Sequence, residues 1–398
     1  MAEFPMVLIL AGLAAYAVLG GADFGAGLWE LGARGRGGAA IREHTHRAMA
    51  PVWEANHVRL IFVLVVCWTA YPTAFASIAS TLTVPLFIAG IGVILRGASY
   101  AFRTGDPGGR EASALSLVLS LSSVLTPFAL GAAAGAIASG RVPVGNAAGD
   151  AYSSWLNPTS LLVGSLAVAS AAYTAAIYLA GDARREGLVD LAETFRKRAL
   201  VSGALVGAIA VCGPLVLYGD AKPLYDGLSS GAGLVAGLVS GIAGVTTLAL
   251  VYRGRFEPAR ASAALAVAAI VAGWGLAQEP SFLPGLTLEE AAAGDATLVA
   301  IAVSVGFGML ILLPSLALLF RLVLSGHFDP GEESPEEPSR TVRSPGPNIP
   351  PAAVAATAGI GTAVTLLAKG WLLGVGLATM LVAAVLAFIL FATPEEEA

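Results

Sequence analysis

Charge is what this chain has least of. Only 12% of its 398 residues are Asp, Glu, Lys or Arg, about half the share found in soluble domains. A water-solvated globular domain is thereby excluded. Cysteine is scarcer still: Cys67 and Cys212 both sit inside apolar runs, where they act as small hydrophobes. Two distant cysteines build neither a disulfide framework nor a thiolate metal site. Of four histidines, His44, His46 and His327 fall in stretches that read as loops or tails, and of five methionines only Met309 lies well inside an expected helix. Bis-axial haem ligation needs His or Met paired across facing helices, so His57 and Met309 could furnish one such site at most. Walker A, dinucleotide-fingerprint and Ser/His/Asp patterns are missing as well. The chain alone is therefore not expected to be catalytic, and it is expected to bind no metal or cofactor of its own.

What is there is apolar sequence, 56% of the chain. A membrane helix needs roughly 20 mainly apolar residues. Runs of about that length lie near 5–31, 48–70, 79–101, 113–138, 156–180, 199–219, 228–252, 260–277 and 297–324. The first has no basic residue before it and no small-residue cleavage pattern, so it reads as a retained helix and not a signal peptide. The expected fold is all-α: a polytopic membrane protein with a nine-helix core at 1–328, comprising two four-helix units and one more helix. Residues 329–350 are polar and rich in Pro and Glu, a composition expected of a flexible linker. Two further apolar runs, expected to be extra C-terminal helices, fill 351–398.

Basic residues are distributed unevenly among the loops. Fifteen, from Arg34 to Arg260, lie in or beside the loops after the first, third, fifth and seventh runs, against Arg141 and Lys222 in the others. The positive-inside rule then places the N-terminus outside and the C-terminus in the cytoplasm. The segment Gln278–Thr287, broken by Pro280, Pro284 and Gly285, is expected to be an ordered outer loop.

Three stretches carry the chemistry. Ala50-Pro51-Val52-Trp53-Glu54-Ala55-Asn56-His57-Val58-Arg59 places three ionisable groups at the head of an apolar run. Each costs about 2.5–3.5 kcal/mol at a helix centre on insertion scales. Residues three or four apart share a helix face, so Glu54 and Trp53 meet His57, and Asn56 meets Arg59. Glu54 has two readings, a proton-uptake site or an ion pair that fixes helix packing. Asp23, within Gly20-Gly21-Ala22-Asp23-Phe24-Gly25-Ala26-Gly27, either extends a polar path from Glu54 or caps a break at the glycines. Arg96 lies two turns deeper than Arg103 and needs a partner, with Asp23 and Glu54 nearest in depth.

Taken in order, Gly21–Gly27, Ala50–Val58 and Leu95-Arg96-Gly97-Ala98-Ser99-Tyr100-Ala101-Phe102-Arg103 resemble subunit II of the cytochrome bd-type quinol oxidases. Gln278–Thr287 and Ala296-Thr297-Leu298 resemble the loop before that family's last helix. The likeness runs over about 1–328. It implies an accessory subunit in a bacterial plasma membrane, paired with a subunit I that holds two b-type haems and haem d. The complex would oxidise quinol and reduce oxygen to water, drawing protons from the cytoplasm. Glu54 matches the acid that this family assigns to a proton path, with His57 beside it, and Asp23 matches the acid ending its first helix. Trp53, Asn56, Arg59 and Arg96 would form a structural polar network. The likeness admits a structural quinone here, and a small accessory subunit beside or replaced by the C-terminal runs; no nucleic acid is implied. Gly20 departs from a second acid common in the family, and Arg59 from a common Trp. The rival reading is an ion-coupled secondary transporter, with the two four-helix units as repeats and Glu54 and Asp23 as ion ligands. Against it stand the lack of a sequence repeat and of midplane acids in the second unit.

Overall fold

The computed structural model describes residues 1–31, 33, 35–49, 53–103, 109–324 and the isolated positions 356, 357, 360 and 379. Apart from those positions, the expected linker and C-terminal runs lie outside the described residues. Residues Met1–Leu318 form one compact unit. Its elements are α1 Glu3–Leu31, α2 Gly35–Met49, α3 Trp53–Ala70, α4 Pro72–Thr81, α5 Thr83–Arg103, α6 Gly109–Ala138, α7 Pro158–Arg185 and α8 Val189–Asp220. There follow α9 Lys222–Leu228, α10 Gly231–Tyr252, α11 Phe256–Gln278, a hairpin of β1 Ser281–Leu283 and β2 Leu286–Thr287, α12 Leu288–Ala291 and α13 Asp295–Leu324.

The nine expected apolar runs fall mostly on helix among the described residues. Among the described residues seven helices are long and apolar enough to cross a membrane, or eight if α4 and α5 count as one span. The α4–α5 pair bends by 84°, a break the hydropathy pattern hid because apolar sequence continues through it. The second run is helical over Trp53–Ala70. The polar stretch before it is not a plain loop: α2 is amphipathic and buries Ile41, His44 and Thr45. His44, expected in a loop, is thus a core residue. Its Nε2 lies 3.1 Å from the Leu179 carbonyl oxygen, fixing α2 across the end of α7.

The two four-helix units are present and pack alike. In the first, α1 packs on α3 and α6, and α5 packs on α6 and touches α3. In the second, α7 packs on α8 and α11, and α10 packs on α11 and α8. Each unit is the same closed ring of contacts. The units meet chiefly where α7 lies against α1 and α6. Small residues set that approach, since membrane helices gain from backbone proximity more than from apolar bulk. At Gly25 a Cβ would stand 1.9 Å from the carbonyl oxygen of Ala171, a distance only glycine permits.

The Gln278–Thr287 loop is ordered, as expected. Thr287 and Glu290 form a reciprocal capping box at α12, Phe282 meets Tyr71 edge to face at 5.2 Å, and Ala293 N–H donates to the Ala70 carbonyl at 2.7 Å. Backbone and hydroxyl donors of Thr287 hold the Glu290 carboxyl below its usual range. A second tie joins the units: Arg141 donates two hydrogen bonds, at 3.0 and 2.6 Å, to Asp220, which also accepts from Thr159.

Gly25 yields a direct expectation. Overpacking a tight contact costs about 1–3 kcal/mol, so Gly25→Ala should lower the thermal midpoint of the purified protein by several degrees, whereas Gly237→Ala, where an added Cβ meets nothing within 4 Å, should not. Equal midpoints for the two variants would refute the close-packing account of this crossing.

Candidate functional site

Arg96 is fully buried at the centre of the first unit, and the site is built around it. Its Nε donates to Asp23 Oδ2 at 3.0 Å and its Nη2 to Asp23 Oδ1 at 2.6 Å, a two-pronged ion pair with both side chains 0% exposed. Nη2 also donates to the Asp23 backbone oxygen at 2.5 Å and Nη1 to Ser123 Oγ at 2.7 Å. Ser123 in turn donates to the Leu119 carbonyl, and the Phe24 ring lies 4.8 Å from the guanidinium carbon. Three helices, α1, α5 and α6, therefore converge on one cation. Gly27 leaves the room: a Cβ there would stand 2.1 Å from Ser123 Oγ and 3.0 Å from Arg96 Nη1.

Asp23 is not a helix cap. The helix does not break at its glycines; Tyr16–Gly20 forms a π-helical turn and α-helix resumes at Gly21. The wider turn rotates the remainder of α1 by about 100° relative to an unbroken helix. With its carboxylate engaged by Arg96, Asp23 has no capping role to fill. The π turn also exposes backbone to a partner, and Asn56 Nδ2 donates to the Leu19 carbonyl at 3.2 Å. Arg59 Nη1 donates to Asn56 Oδ1 at 2.9 Å, the expected helix-face pair.

The sequence-derived residues thus separate. Asp23 and Arg96 come together directly, and Asn56 and Arg59 form a second link that ties α3 to α1. His57 is half-buried on α3. Trp53 and Glu54 lie in the first turn of α3, and their side chains lie outside the described residues. Among the described residues no group of three or more His, Cys, Asp or Glu stands close enough to hold a metal, and Met309 is exposed.

Sequence reasoning missed Ser123, Tyr16 and Thr126. Tyr16 Oη and Thr126 Oγ1 are buried with no hydrogen-bond partner, Tyr16 about two turns from Asp23 along α1 and Thr126 about one turn from Ser123 along α6. A signal was available: Ser120, Ser123 and Thr126 recur every three residues in an apolar run, a stripe of small hydroxyls of the kind that joins membrane helices.

The pair's energetics can be tested. Removing one partner of a buried pair strands the other charge and costs about 3–5 kcal/mol, while replacing both with apolar residues is often neutral. Asp23→Asn should therefore destabilise the protein strongly in a thermal melt, and Asp23→Leu combined with Arg96→Leu should recover most of that loss. A single variant as stable as wild type would show that the pair contributes nothing to folding.

Comparison with known proteins bears on the whole unit. Residues 1–323 match the family model described as cytochrome bd terminal oxidase subunit II. A protein of Bacillus subtilis (strain 168) named "Putative cytochrome bd menaquinol oxidase subunit II" is 21% identical over 235 residues, covering 57% of this chain and 67% of its own length. A chain in the structure of bd oxidase from Geobacillus thermodenitrificans superposes with a TM-score of 0.67 at 26% identity, over 81% of this chain and 98% of that one.

Proposed function

This chain belongs to the cytochrome bd terminal oxidase subunit II family, and from that premise we propose that it scaffolds a haem-bearing subunit I and conducts protons from the cytoplasm. Its membership makes it part of a haem-dependent oxidoreductase complex, and its apolar helices make it a multi-pass membrane protein. The proposed partner carries two b-type haems and haem d, oxidises quinol and reduces oxygen to water. That reduction consumes protons, which is where the ionisable residues of this chain enter. The proposed orientation has the N-terminus outside and the cytoplasmic face at α2, following the loop charges.

The observation that carries the proposal is the polar chain running from α3 into the unit. Asn56, on the helix whose first turn carries Glu54, is bonded to the π turn of α1, and the helix beyond that turn carries Asp23, which pairs with Arg96. Glu54 takes the proton, His57 shares its helix face, and the Asp23–Arg96 pair anchors the inner end. An uncompensated carboxylate in hydrocarbon is costly, so a carboxylate kept at the head of an apolar run favours a conducting role. The transporter reading fares worse. Although the two units pack alike, the buried Asp, Glu, His and Arg residues among the described ones, Asp23, Glu30, His44 and Arg96, all lie in the first hundred residues. Coupling-ion ligands shared between two repeats have no material in the second unit.

Glu54→Gln keeps size and hydrogen bonding but cannot titrate. In the assembled complex it should slow oxygen uptake by about tenfold or more, given the range of about 10²–10⁴ typical of lost proton-transfer groups, with haem content unchanged. Glu54→Asp should retain more activity than Gln. If Glu54 is instead a packing ion pair, both variants should lose assembled complex along with turnover. A fully assembled, fully active Glu54→Gln complex would remove Glu54 from the path.

A further inference from the structure

Among three described arginines at the α2 end of the helices, one has neither a carboxylate nor a carbonyl to hold it. Arg196 is bonded to both oxygens of Glu193 at 2.7 and 2.9 Å and to the Tyr252 carbonyl. Arg260 is bonded to Asp182 at 2.7 Å and to the Tyr178 carbonyl at 2.6 Å. Arg260 Nε is buried without a partner, but its other nitrogens are engaged; Arg198 has its Nη1 buried and lacking a hydrogen-bond partner, with no carboxylate to pair it. Its guanidinium carbon lies 5.0 Å from the centre of the Trp29 ring and 5.2 Å from that of Phe195. The two rings hold the guanidinium in place while offering it no acceptor.

Arg198 lines a cavity of about 440 Å³, a size within the range of small-ligand sites, about 300–1,000 Å³. Its walls come from the start of α2, at Gly37, Gly38 and Ile41, and from the first turns of α8, at Asp190, Leu191 and Thr194. The level in the membrane is set by the sequence of α8. From Val189 to Arg198 that helix is polar, carrying Asp190, Glu193, Arg196 and Lys197 besides Arg198 itself; from Ala199 it is almost wholly apolar. Arg198 is therefore the residue at which α8 enters hydrocarbon. Trp29, its ring partner, is of the type enriched at that same depth.

We propose that this cavity binds the phosphate of a phospholipid from the cytoplasmic leaflet, with Arg198 as its donor. A planar guanidinium matches phosphate oxygens with two parallel hydrogen bonds, which an ammonium cannot do. A buried guanidinium nitrogen with no acceptor is unfavourable, and a phosphate supplies the acceptor at the depth where headgroups lie. Asp190 sits two turns nearer the cytoplasm on the same helix, on the side where a headgroup's cationic end would project. A bound lipid would wedge α2 against α8 and so brace the inner end of the first helix. This site stands apart from the proton route and does not rest on it.

The test is native mass spectrometry of the assembled complex, transferred from nanodiscs of phosphatidylethanolamine and phosphatidylglycerol in equal parts. Wild type should retain phospholipid that Arg198→Gln loses by about tenfold in occupancy, the loss expected for one charged hydrogen bond. Arg198→Lys, which keeps the charge and the packing stem, should retain an intermediate amount, so the proposal stays testable if the Gln variant assembles poorly. A parallel arm offers inorganic phosphate to lipid-depleted complex. Phosphate that protects α2 from proteolysis in wild type as well as lipid does would reassign the site to a free anion. Equal lipid retention by wild type and both variants would overturn the proposal.

Discussion

The Asp23–Arg96 pair is the constraint on which the rest of the first unit depends. A guanidinium with no exposure in the middle of apolar helices survives only if its donors find acceptors. Three helices meet that demand together, with Asp23 supplying three oxygens and Ser123 the fourth. Meeting it dictates local sequence. Gly27 must lack a side chain to admit Ser123, and the π turn at Tyr16–Gly20 must reset the rotation of α1 so that Asp23 faces α5. The pair is thus less a stabilising bonus than a specification, because apolar residues of the same volume would pack about as well but would not set the rotation of α1.

Much of this was legible in the residues and some of it was not. Hydropathy placed the membrane helices, because lipid solvation leaves helices as the economical way to satisfy a backbone without water. Arg96 was legible as a buried group needing a carboxylate, and Asp23 as one of two at its depth. What decided between them, the π turn, leaves no mark in composition: Tyr-Ala-Val-Leu-Gly is ordinary helix sequence. The amphipathic α2 was hidden for another reason. Its Gly- and Arg-rich start has poor helix propensity, and its folding depends on burying Ile41 and His44 against α7 and α8, contacts that no local pattern reports. The bend after Thr81 was masked by unbroken apolar sequence, since hydropathy measures the solvent of a segment and not its direction.

The two units share a ring of contacts without sharing a sequence pattern. In lipid the same fold can be specified by many sets of small residues, because close approach and not a particular side chain is what packs the helices. Chemistry has diverged accordingly. The second unit is tied at one end by Arg141 to Asp220 and at the other by Arg260 to Asp182, both pairs partly exposed, and carries no fully buried ion pair among its described residues. Among the described residues the fully buried ion pair lies in the first unit.

That asymmetry bears on which carboxylate can move protons. Both oxygens of Asp23 already accept from Arg96, so loading a proton there means breaking a pair that apolar surroundings make costly to break. A relay group needs a less committed position. Glu54 stands at the first turn of α3, near the proposed cytoplasmic end, on a helix whose rotation is set by Asn56 bonding the π turn. The fixed pair and the proposed carrier are therefore complementary: one holds α1 rigid enough to present the Leu19 carbonyl, and that carbonyl, through Asn56, sets the face on which Glu54 and His57 stand. A change at Asp23 should alter proton delivery only by way of α3, and a change at Glu54 should leave the packing of α1 untouched.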